Sequence, residues 1–383
     1  MAANKYKMVI DTYQERYKCK PEIAIYAPGR INLIGEHTDY SDGFVLPAAI
    51  NLGISIALSP REDETLQLYS IDFEQDIVID LNDMQKEGRG WYEYIKGVAW
   101  VLNEEGYPVS GWQGVLSGNI PIGAGLSSSA ALEIATLEAF SRIGDFSLSP
   151  ETMAKLGRKA ETGWVGVNVG IMDQLISAAG KANHAVLLDC RTLGFEYVPV
   201  PEGISIVVLD TKTRRELSNS AYNTRHKEVR QAAQALGVEV LRDANLQNLK
   251  YNKENLPENV YKRARHVISE NARVHEFSKA MRIGKIVEMG KLINLSHQSL
   301  RDDFEVSSDE LNLIVTIAQE QSECLGARMA GAGFGGCALA LIKQGSDQDF
   351  ISKVHDRYLA ETNIKPHIFK VEISEGVSSE ILK

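Results

Sequence analysis

The chain has 383 residues, of which 44% are hydrophobic and 24% charged, a composition typical of soluble globular proteins. This length exceeds that of one ordinary core and predicts two domains, which we place at residues 1–200 and 201–383. The formal net charge of −10 argues against nucleic acid or an anionic membrane as the main partner, because both bind basic surfaces.

The cysteines and the terminal residues bear on the compartment. Cysteines at positions 19, 190, 324 and 337 form no C-x-x-C pair, and no cysteine–histidine cluster has the spacing of a zinc site. Reduced thiols, an N-terminus without a continuous apolar stretch and the lack of an apolar run near 20 residues predict a cytoplasmic protein without a membrane segment.

Alternating apolar positions and glycine or proline breaks predict a mixture of strands and helices. The predicted elements of the first half are a helix at 4–18, a strand at 23–26 that ends at Pro28-Gly29, strands at 43–59 and 65–81, a helix at 91–105, a strand at 114–116, and helices at 128–142 and 150–163. Ser149 is the expected cap of the last helix, with Pro150 in its first turn.

The second half is predicted to be largely helical between strands. Strands at 186–189 and 204–210 are separated by Pro199, Pro201 and Gly203, which mark the domain boundary. The predicted elements that follow are helices over most of 215–335 and strands at 337–343 and 366–373 around a helix at 346–362.

The first motif, residues 27–47, reads APGRINLIGEHTDYSDGFVLP and is rich in hydrogen-bonding groups between apolar flanks. Carboxylates that accept hydrogen bonds, together with imidazole and guanidinium groups that donate them, suit a polyhydroxylated ligand. The alternative interpretation is a turn-rich connector between two strands. The variety of polar groups favours a ligand site, since functional residues concentrate on such loops.

The second motif, GNIPIGAGLSSSAALE at residues 118–133, places small residues directly before a strong helix start. Small residues let the backbone approach an oxyanion, and the helix N-terminus presents free N–H groups and the positive end of a dipole. The motif is not a Walker A loop, because G-x-x-x-x-G-K-[ST] is absent. Although a turn with a helix cap is the alternative, three serines and two glycines favour phosphate binding.

Two further segments allow more than one interpretation. The third motif, GAGFGG at residues 331–336, imitates a dinucleotide fingerprint, but a helix is predicted before it and a strand after it, which is the reverse of that fingerprint. A loop against a ligand or another backbone fits better. Asp173 lies in the apolar segment GIMDQ, where it is either the N-cap of a helix at 174–179 or a general base near a cation.

Taken in this order, the motifs resemble those of the GHMP small-molecule kinases, named for galactokinase, homoserine, mevalonate and phosphomevalonate kinases. The first motif resembles the galactokinase signature within that family. Further matches are GIMDQLISAAGKANHAVLLDCRTL from 170, LSNSAYNTRHKEV from 217 and SHQSLRDDFEVSSDELNLIV from 296. The resemblance implies a two-domain α+β fold, with a ribosomal-protein-S5-like N-terminal domain, a ferredoxin-like C-terminal domain and the active site in the cleft between them.

The activity that the resemblance implies is transfer of the γ-phosphate of ATP to the C1 hydroxyl of α-D-galactose, which gives galactose 1-phosphate and ADP. Mg²⁺ is the implied cofactor, D-galactose and MgATP are the implied ligands, and the absence of a long heptad seam leads us to expect a monomer. Two alternatives are a sister kinase acting on N-acetylgalactosamine and a non-catalytic galactose and ATP sensor. The intact Ser-Ser-Ser-Ala-Ala segment argues against the sensor.

The resemblance also assigns roles to individual positions. Asp173 matches the catalytic base that faces the C1 hydroxyl, and Arg30 matches the arginine beside that base and the transferring phosphate. The expected sugar-binding residues are Glu36, His37, Thr38, Asp39, Gly170 and Tyr222. The expected nucleotide contacts are Ser70 and a triphosphate loop made of Gly123, Ala124, Gly125, Leu126, Ser127, Ser128 and Ser129, with Ser129 and Glu161 as magnesium ligands. Trp91 and Tyr92 are expected near the adenine, whereas Val169 and Trp164 depart from the family pattern and leave the pocket dimensions open.

Overall fold

The computed structural model describes residues 5–88, 90–121, 123–167, 169–214 and 218–382, without the side chains of 218–221. Ile122 of the second motif and Leu217, which begins one of the matched segments, lie outside these ranges. Mixed sheets packed with helices form an α+β fold, which confirms the predicted fold class.

The helices of the described residues are α1 (Lys7–Tyr17), α2 (Tyr92–Glu104), α3 (Ser128–Ile143), α4 (Pro150–Ala160), α5 (Met172–Ala179), α6 (Ser218–Ala235), α7 (Leu246–Tyr251), α8 (Glu258–Arg282), α9 (Ile286–Ser299), α10 (Asp309–Gln319) and α11 (Asp347–Thr362). Short 3-10 turns lie at Asp39–Ser41, Leu241–Asp243 and Lys253–Asn255. π-helical turns at Glu161–Val165 and Leu300–Phe304 continue α4 and α9. None of the helices in the described ranges is long and apolar enough to cross a membrane.

The strands of the described residues are β1 (Ile23–Asn32), β2 (Phe44–Val45), β3 (Pro47–Pro60), β4 (Thr65–Ser70), β5 (Gln75–Asp80), β6 (Trp112–Gly118), β7 (His184–Asp189), β8 (Phe195–Pro199), β9 (Ile204–Asp210), β10 (Cys324–Ala330), β11 (Cys337–Lys343), β12 (His367–Val371) and β13 (Ser378–Ile381). They form a six-stranded sheet in the order β13-β1-β3-β6-β4-β5, a four-stranded sheet in the order β10-β11-β9-β12 and a three-stranded sheet in the order β2-β7-β8. The pairs are antiparallel except β4 with β6.

Strand β1 runs beyond the predicted end at Pro28-Gly29, and that prediction is wrong. Proline has no N–H for the ladder, but a register shift between Pro28 and Arg30 accommodates it and the strand continues to Asn32. The shift is possible because residue 29 is glycine: a Cβ there would lie 2.6 Å from the carbonyl oxygen of Leu126. The bulge therefore brings the end of β1 against the second motif.

The third motif turns between two strands, so the helix predicted before it is wrong. Residues 324–330 form β10, which pairs with β11 as a hairpin. Both faces of β10 are covered, with Ala327, Arg328 and Met329 all fully buried, so the strand lacks the alternation that would reveal it in the sequence. A dinucleotide fingerprint remains unsuited to this segment, because a strand follows its glycines.

Two clusters of buried side chains hold the sheets and helices together. The larger joins the six-stranded sheet, α2 and α3 to parts of α8, α9 and the four-stranded sheet, and the other lies between the four-stranded sheet and α6, α8, α10 and α11. Strand β13 returns from the end of the described chain to pair with β1. Strand β13, from the C-terminal half of the chain, thus belongs to the six-stranded sheet, whose other strands all come from the N-terminal half. The predicted domain boundary at residue 200 stays a prediction.

Candidate active site

A cavity of about 240 Å³ lies between the first motif, the start of α5, α6 and the third motif. Its polar lining consists of Arg30, Glu36, His37, Asp39, Asp173 and Tyr222, and its apolar side of Val45, Val167, Val169 and Met172. Gly35, Gly170, Gly331 and Ala332 complete the wall. A small concave site with several convergent polar groups suits one small polar ligand.

Arg30 and Asp173 both line this cavity and form an ion pair through two hydrogen bonds. Nε and Nη2 of Arg30 donate to the two carboxylate oxygens of Asp173 over 2.8 and 2.7 Å. The remaining guanidinium nitrogen of Arg30, Nη1, donates to the carbonyl oxygen of Gly125 in the second motif. Burial alone would lower the pKa of Arg30, but the adjacent Asp173 carboxylate raises it. The guanidinium therefore joins the cavity to the second motif.

Asp173 lies inside the first turn of α5, which begins after Ile171, so the predicted alternative of an N-cap is wrong. Besides Arg30, the hydroxyl of Ser127 donates to its carboxylate. The carboxylate is thus held by residues from β1 and from the second motif, and it faces the cavity.

Glu36 is buried and its carboxylate is held by groups from two distant parts of the chain. Oε2 accepts from the side-chain amide of Asn32 over 3.1 Å, and Oε1 accepts from the Gly331 N–H over 2.8 Å and from Arg328 over 3.2 Å. Arg328 is fully buried in β10 and also donates to the carbonyl oxygens of Asn32 and Leu33. The sequence analysis missed Arg328, since no motif contains it.

His37 adopts a left-handed backbone conformation with φ of 63°, which residues other than glycine rarely adopt. Its Nε2 lies 3.2 Å from the carbonyl oxygen of Ala332, which only accepts, so Nε2 carries the proton. Nδ1 then accepts from the Tyr40 hydroxyl at 3.0 Å. Burial, followed by the charges of other residues such as His266, lowers the pKa of His37 to about 3, so the ring is neutral. The rings of Phe304 and Tyr222 pack beside it.

Thr38 is fully buried and turned into the first motif. Its hydroxyl lies within hydrogen-bond distance of the carbonyl oxygens of Gly35, at 2.9 Å, and Phe44, at 2.7 Å. The Thr38 side chain therefore stabilises the turn at residues 35–44. Thr38 is not among the residues that line the cavity.

Asp39 and Gly170 both line the cavity and lie in direct contact with each other. A Cβ on residue 170 would lie 2.0 Å from Oδ2 of Asp39, so glycine is required for this carboxylate to keep its position. Burial raises the pKa of Asp39 to about 6, and the charges of Asp173 and Glu36 contribute to the same shift. The surroundings of Asp39, which include two other carboxylates, therefore disfavour its ionised form.

The second motif forms a turn with three left-handed residues, Gly123, Gly125 and Ser127, with φ of 70°, 71° and 62°. Helix α3 begins at Ser128, so the N–H groups of its first turn have no partner within the helix. Gly331 and Gly336 of the third motif approach this turn, with Cβ positions 3.7 Å from the oxygen of Gly125 and 4.0 Å from that of Gly123. The three motifs thus converge.

Arg214 borders the second motif on its other side and was missed by the sequence analysis. A Cβ on Gly123 would lie 2.9 Å from its Nε. Both terminal nitrogens of Arg214 donate to the buried carboxylate of Asp210 over 2.9 and 3.0 Å. The guanidinium is thereby fixed beside the turn as a second cation.

A group of carboxylates lies behind Asp173. The Gln174 amide donates to Glu133 over 3.0 Å and to Glu161 over 2.8 Å, and Glu161 also interacts with the Ser129 hydroxyl. Burial, then the charge of Asp173, raises the pKa of Glu161 to about 7, while burial and Glu161 raise that of Glu133 well above its usual value. Oε1 of Glu133 has no hydrogen-bond partner among the described residues. Burial thus favours protonation of these two carboxyl groups, and a divalent cation would favour their ionised form.

The geometry of a closed metal cage is not found there. No group of three or more His, Cys, Asp and Glu side chains in the described ranges is arranged to hold a metal ion. Ser129 and Glu161 offer a hydroxyl and one carboxylate, a set typical of Mg²⁺ held jointly by protein and nucleotide phosphates.

The predicted nucleotide contacts of the N-terminal half lie outside the cavity. Ser70 ends β4, is fully buried, and its hydroxyl has no partner among the residues described. The Trp91 indole donates to Gln75 over 3.0 Å and lies nearly parallel to the exposed ring of Phe73, with centroids 6.3 Å apart. Their contacts with a nucleotide stay predictions.

Comparisons with known proteins decide the family. Residues 11–60 match the family described as "Galactokinase galactose-binding signature", 93–181 "GHMP kinases N terminal domain" and 277–360 "GHMP kinases C terminal". The galactokinase of Roseiflexus sp. (strain RS-1) is 40% identical over 372 residues, which cover 96% of this chain and 95% of that protein. The chain belongs to the galactokinase family.

Other galactokinases agree with this assignment. The galactokinase of Haemophilus influenzae is 38% identical over 95% of this chain and 97% of its own length. The crystal structure of Lactococcus lactis galactokinase complexed with galactose has a TM-score of 0.93 and 36% identity, covering 96% of this chain and 98% of that one. Methanococcus jannaschii mevalonate kinase, at 20% identity and a TM-score of 0.69, shares the fold. The predicted resemblance is confirmed, and the chain is an ATP-dependent sugar kinase of the GHMP type.

The raised pKa of Asp39 makes a prediction about stability. The folded protein binds the Asp39 proton more tightly than the unfolded chain, whose carboxyl has a pKa of 3.8, so this group lowers stability progressively as the pH rises toward about 6. We expect Asp39→Asn to be more stable than the wild type, by about 1–3 kcal/mol at pH 8 and by less at pH 5. Urea unfolding at both pH values measures the difference.

The control is Asp11→Asn, which changes an exposed carboxylate on α1 and should leave the free energy of unfolding unchanged at both pH values. A wild type as stable as Asp39→Asn at pH 8 would show that the Asp39 carboxylate is not under electrostatic strain.

Proposed function

We propose that this chain transfers the γ-phosphate of ATP to the C1 hydroxyl of α-D-galactose. The observation that carries this proposal is the position of Arg30, which bonds to Asp173 on the cavity side and to Gly125 on the side of the second motif. A catalytic pair at this junction can meet the sugar hydroxyl and the terminal phosphate together. The family match and the galactose complex of the Lactococcus lactis galactokinase support the choice of sugar.

Sugar recognition is assigned to the polar side of the cavity. Glu36 and Asp39 accept hydrogen bonds from hydroxyl groups, and neutral His37 and Tyr222 lie beside them. Because these groups are buried and already oriented, an epimer that misplaces one hydroxyl leaves a buried polar group unpaired. Val169 and Val167 form the apolar part of the wall and limit the substituents that fit.

Phosphoryl transfer depends mostly on positioning and on stabilisation of charge. Asp173 accepts the C1 hydroxyl proton, while Arg30 and the N–H groups of residues 123–129 stabilise charge on the transferring phosphate. Arg214, held by Asp210 beside Gly123, adds a second positive charge on the nucleotide side. This arrangement needs no covalent intermediate on the protein.

The carboxylates behind Asp173 fit a magnesium ion. Ser129 and Glu161 would hold it, and Glu133 contributes negative charge behind them. A bound Mg²⁺ would offset the negative charge of the nucleotide phosphates. Cytoplasmic localisation and a monomeric state stay predictions from the sequence.

Replacing the proposed base tests the mechanism. Asp173→Asn keeps the shape of the side chain but removes the proton acceptor, so we expect turnover to fall by about 10²- to 10⁴-fold while galactose still binds. Coupled ADP-release kinetics and calorimetric titration with galactose give the two readouts. Asp145→Asn, at an exposed left-handed position, is the matched control. Turnover near that of the wild type would refute the assignment of Asp173.

The proposed metal ligand is tested through the dependence on Mg²⁺. We expect Glu161→Gln to need a Mg²⁺ concentration at least about tenfold higher for half-maximal activity, because a carboxylate ligand is lost. Calorimetry of ADP binding with and without Mg²⁺ should show that the metal strengthens binding to the wild type but not to the variant. Glu104→Gln, on the exposed side of α2, is the control. An unchanged metal dependence rejects Glu161 as a ligand.

A sugar panel tests the substrate. We expect kcat/KM for D-galactose to exceed that for D-glucose by about 100-fold or more, since the polar side of the cavity distinguishes hydroxyl positions. The same assay with N-acetylgalactosamine separates galactokinase activity from that of a sister kinase. Preference for N-acetylgalactosamine, or similar rates with galactose and glucose, contradicts the proposed function.

A further inference from the structure

We propose that helix α8 is the support of the sugar-binding segment, through two buried polar residues and one half-buried polar residue that hold its main chain. His266, Glu270 and Asn271 act as positioning residues for Glu36, His37 and Asp39. The assignment of an effect on galactose rests on the proposed function, whereas the structural support itself does not.

Glu270 provides the strongest of these contacts. It is fully buried, and its Oε1 accepts from the Gly35 N–H over 3.0 Å and from the Ser296 hydroxyl over 2.6 Å. Its Oε2 accepts from Arg273 over 2.7 Å. Burial alone would raise the pKa of Glu270, but Arg273 and His266 lower it to about 2, so an ionised acceptor holds the residue before Glu36.

His266 and Asn271 hold the main chain on either side of the segment. His266 Nε2 donates to the carbonyl oxygen of Glu36 over 3.1 Å, and its Nδ1 lies 3.0 Å from the Ser299 hydroxyl oxygen. Asn271 Oδ1 accepts from the Phe44 N–H over 2.8 Å. His266 and Glu270 are four residues apart and share one face of α8, and Asn271 directly follows Glu270. Through these three residues α8 contacts both ends of the segment at residues 35–44.

Helix α8 and the segment at residues 35–44 pack closely against each other. A Cβ on Gly35 would lie 2.7 Å from the oxygen of Phe44 and 2.9 Å from Val274 of α8, and one on Gly43 would lie 2.5 Å from Oδ1 of Asn271. The segment also contains left-handed His37 and Asp42, with φ of 63° and 55°. Backbone in such conformations persists only where its surroundings enforce it.

The support joins parts of the chain that no motif connects. Residues 266–271 lie between the matched segments that end at 181 and begin at 277, while their acceptor and donor partners lie within 11–60. The hydrogen bonds from His266, Glu270 and Asn271 all go to main-chain atoms of the segment, so these residues hold its backbone directly. Arg328 supports Glu36 from the opposite side.

The experiment compares removal of each acceptor with its conservative replacement. Asn271→Ala and Glu270→Ala remove the acceptors for the N–H groups of Phe44 and Gly35. Asn271→Asp keeps an acceptor oxygen toward Phe44, replaces an amide nitrogen that has no partner among the described residues and adds a negative charge, whereas Glu270→Gln keeps an oxygen toward Gly35 and removes the charge. Glu276→Gln, exposed on the same helix, is the control.

For the alanine variants we expect KM for galactose to rise about tenfold or more, because a buried N–H is left unpaired, while KM for ATP changes less than about twofold. Asn271→Asp should return KM for galactose to within about threefold of the wild type. Hydrogen exchange without any ligand should be faster at residues 33–46 in the alanine variants and unchanged at residues 112–118.

Unchanged exchange at 33–46 in both alanine variants overturns the proposal, as does an equal rise of KM for galactose and ATP. Asn271→Ala removes a single uncharged acceptor and keeps the test decisive if Glu270→Ala does not fold. A wild type that fails to phosphorylate galactose refutes the proposed function instead, since the exchange experiment needs no substrate.

Discussion

The crowding of carboxylates around one small cavity is the constraint on which the site depends. Glu36, Asp39 and Asp173 face the cavity, and Glu133 and Glu161 lie behind it. Isolated buried charges of this kind are costly, so the fold places two buried guanidinium groups among them. Arg30 pairs with Asp173, and Arg328 pairs with Glu36. Both arginines also donate to main-chain carbonyls, which ties the charge balance to the positions of the motifs.

The compensation is incomplete, and this has a functional meaning. The pKa values of Asp39 and Glu161 remain raised because burial and neighbouring carboxylates outweigh the donors near them. Sugar hydroxyls and a divalent cation are the two kinds of partner that would relieve this charge. The site is thus organised before its ligands bind, at some expense of stability, a trade that is common where binding groups are held in place.

Local patterns in the sequence were sufficient for the parts of the site that lie within single segments. The donors and acceptors of the first motif predicted a ligand site, and several of them line the cavity. The small residues before α3 predicted a turn, which the structure contains. Ser149 caps α4 as predicted. Residues whose role depends on contacts between distant parts of the chain were not predicted. Arg328 lies in a strand buried on both faces, and His266 lies in a long helix whose sequence contains no motif. Thr38, expected at the sugar, has its hydroxyl at hydrogen-bond distance from two carbonyl oxygens of its own segment, a side-chain rotation that the sequence pattern does not specify.

The return of β13 to β1 has a consequence for how the molecule folds. Ile23 pairs with Ile381, so the strand that carries Arg30 acquires its outer neighbour from a segment almost the whole described chain away. Contacts of such sequence separation form late, because a large loop must close before they are made. Until then β1 is an open sheet edge at residues 23–26, the part of the strand that β13 covers, and it is able to pair with another chain. The pairing that completes the first sheet therefore also moves its edge from the ten-residue strand β1 to the four-residue strand β13.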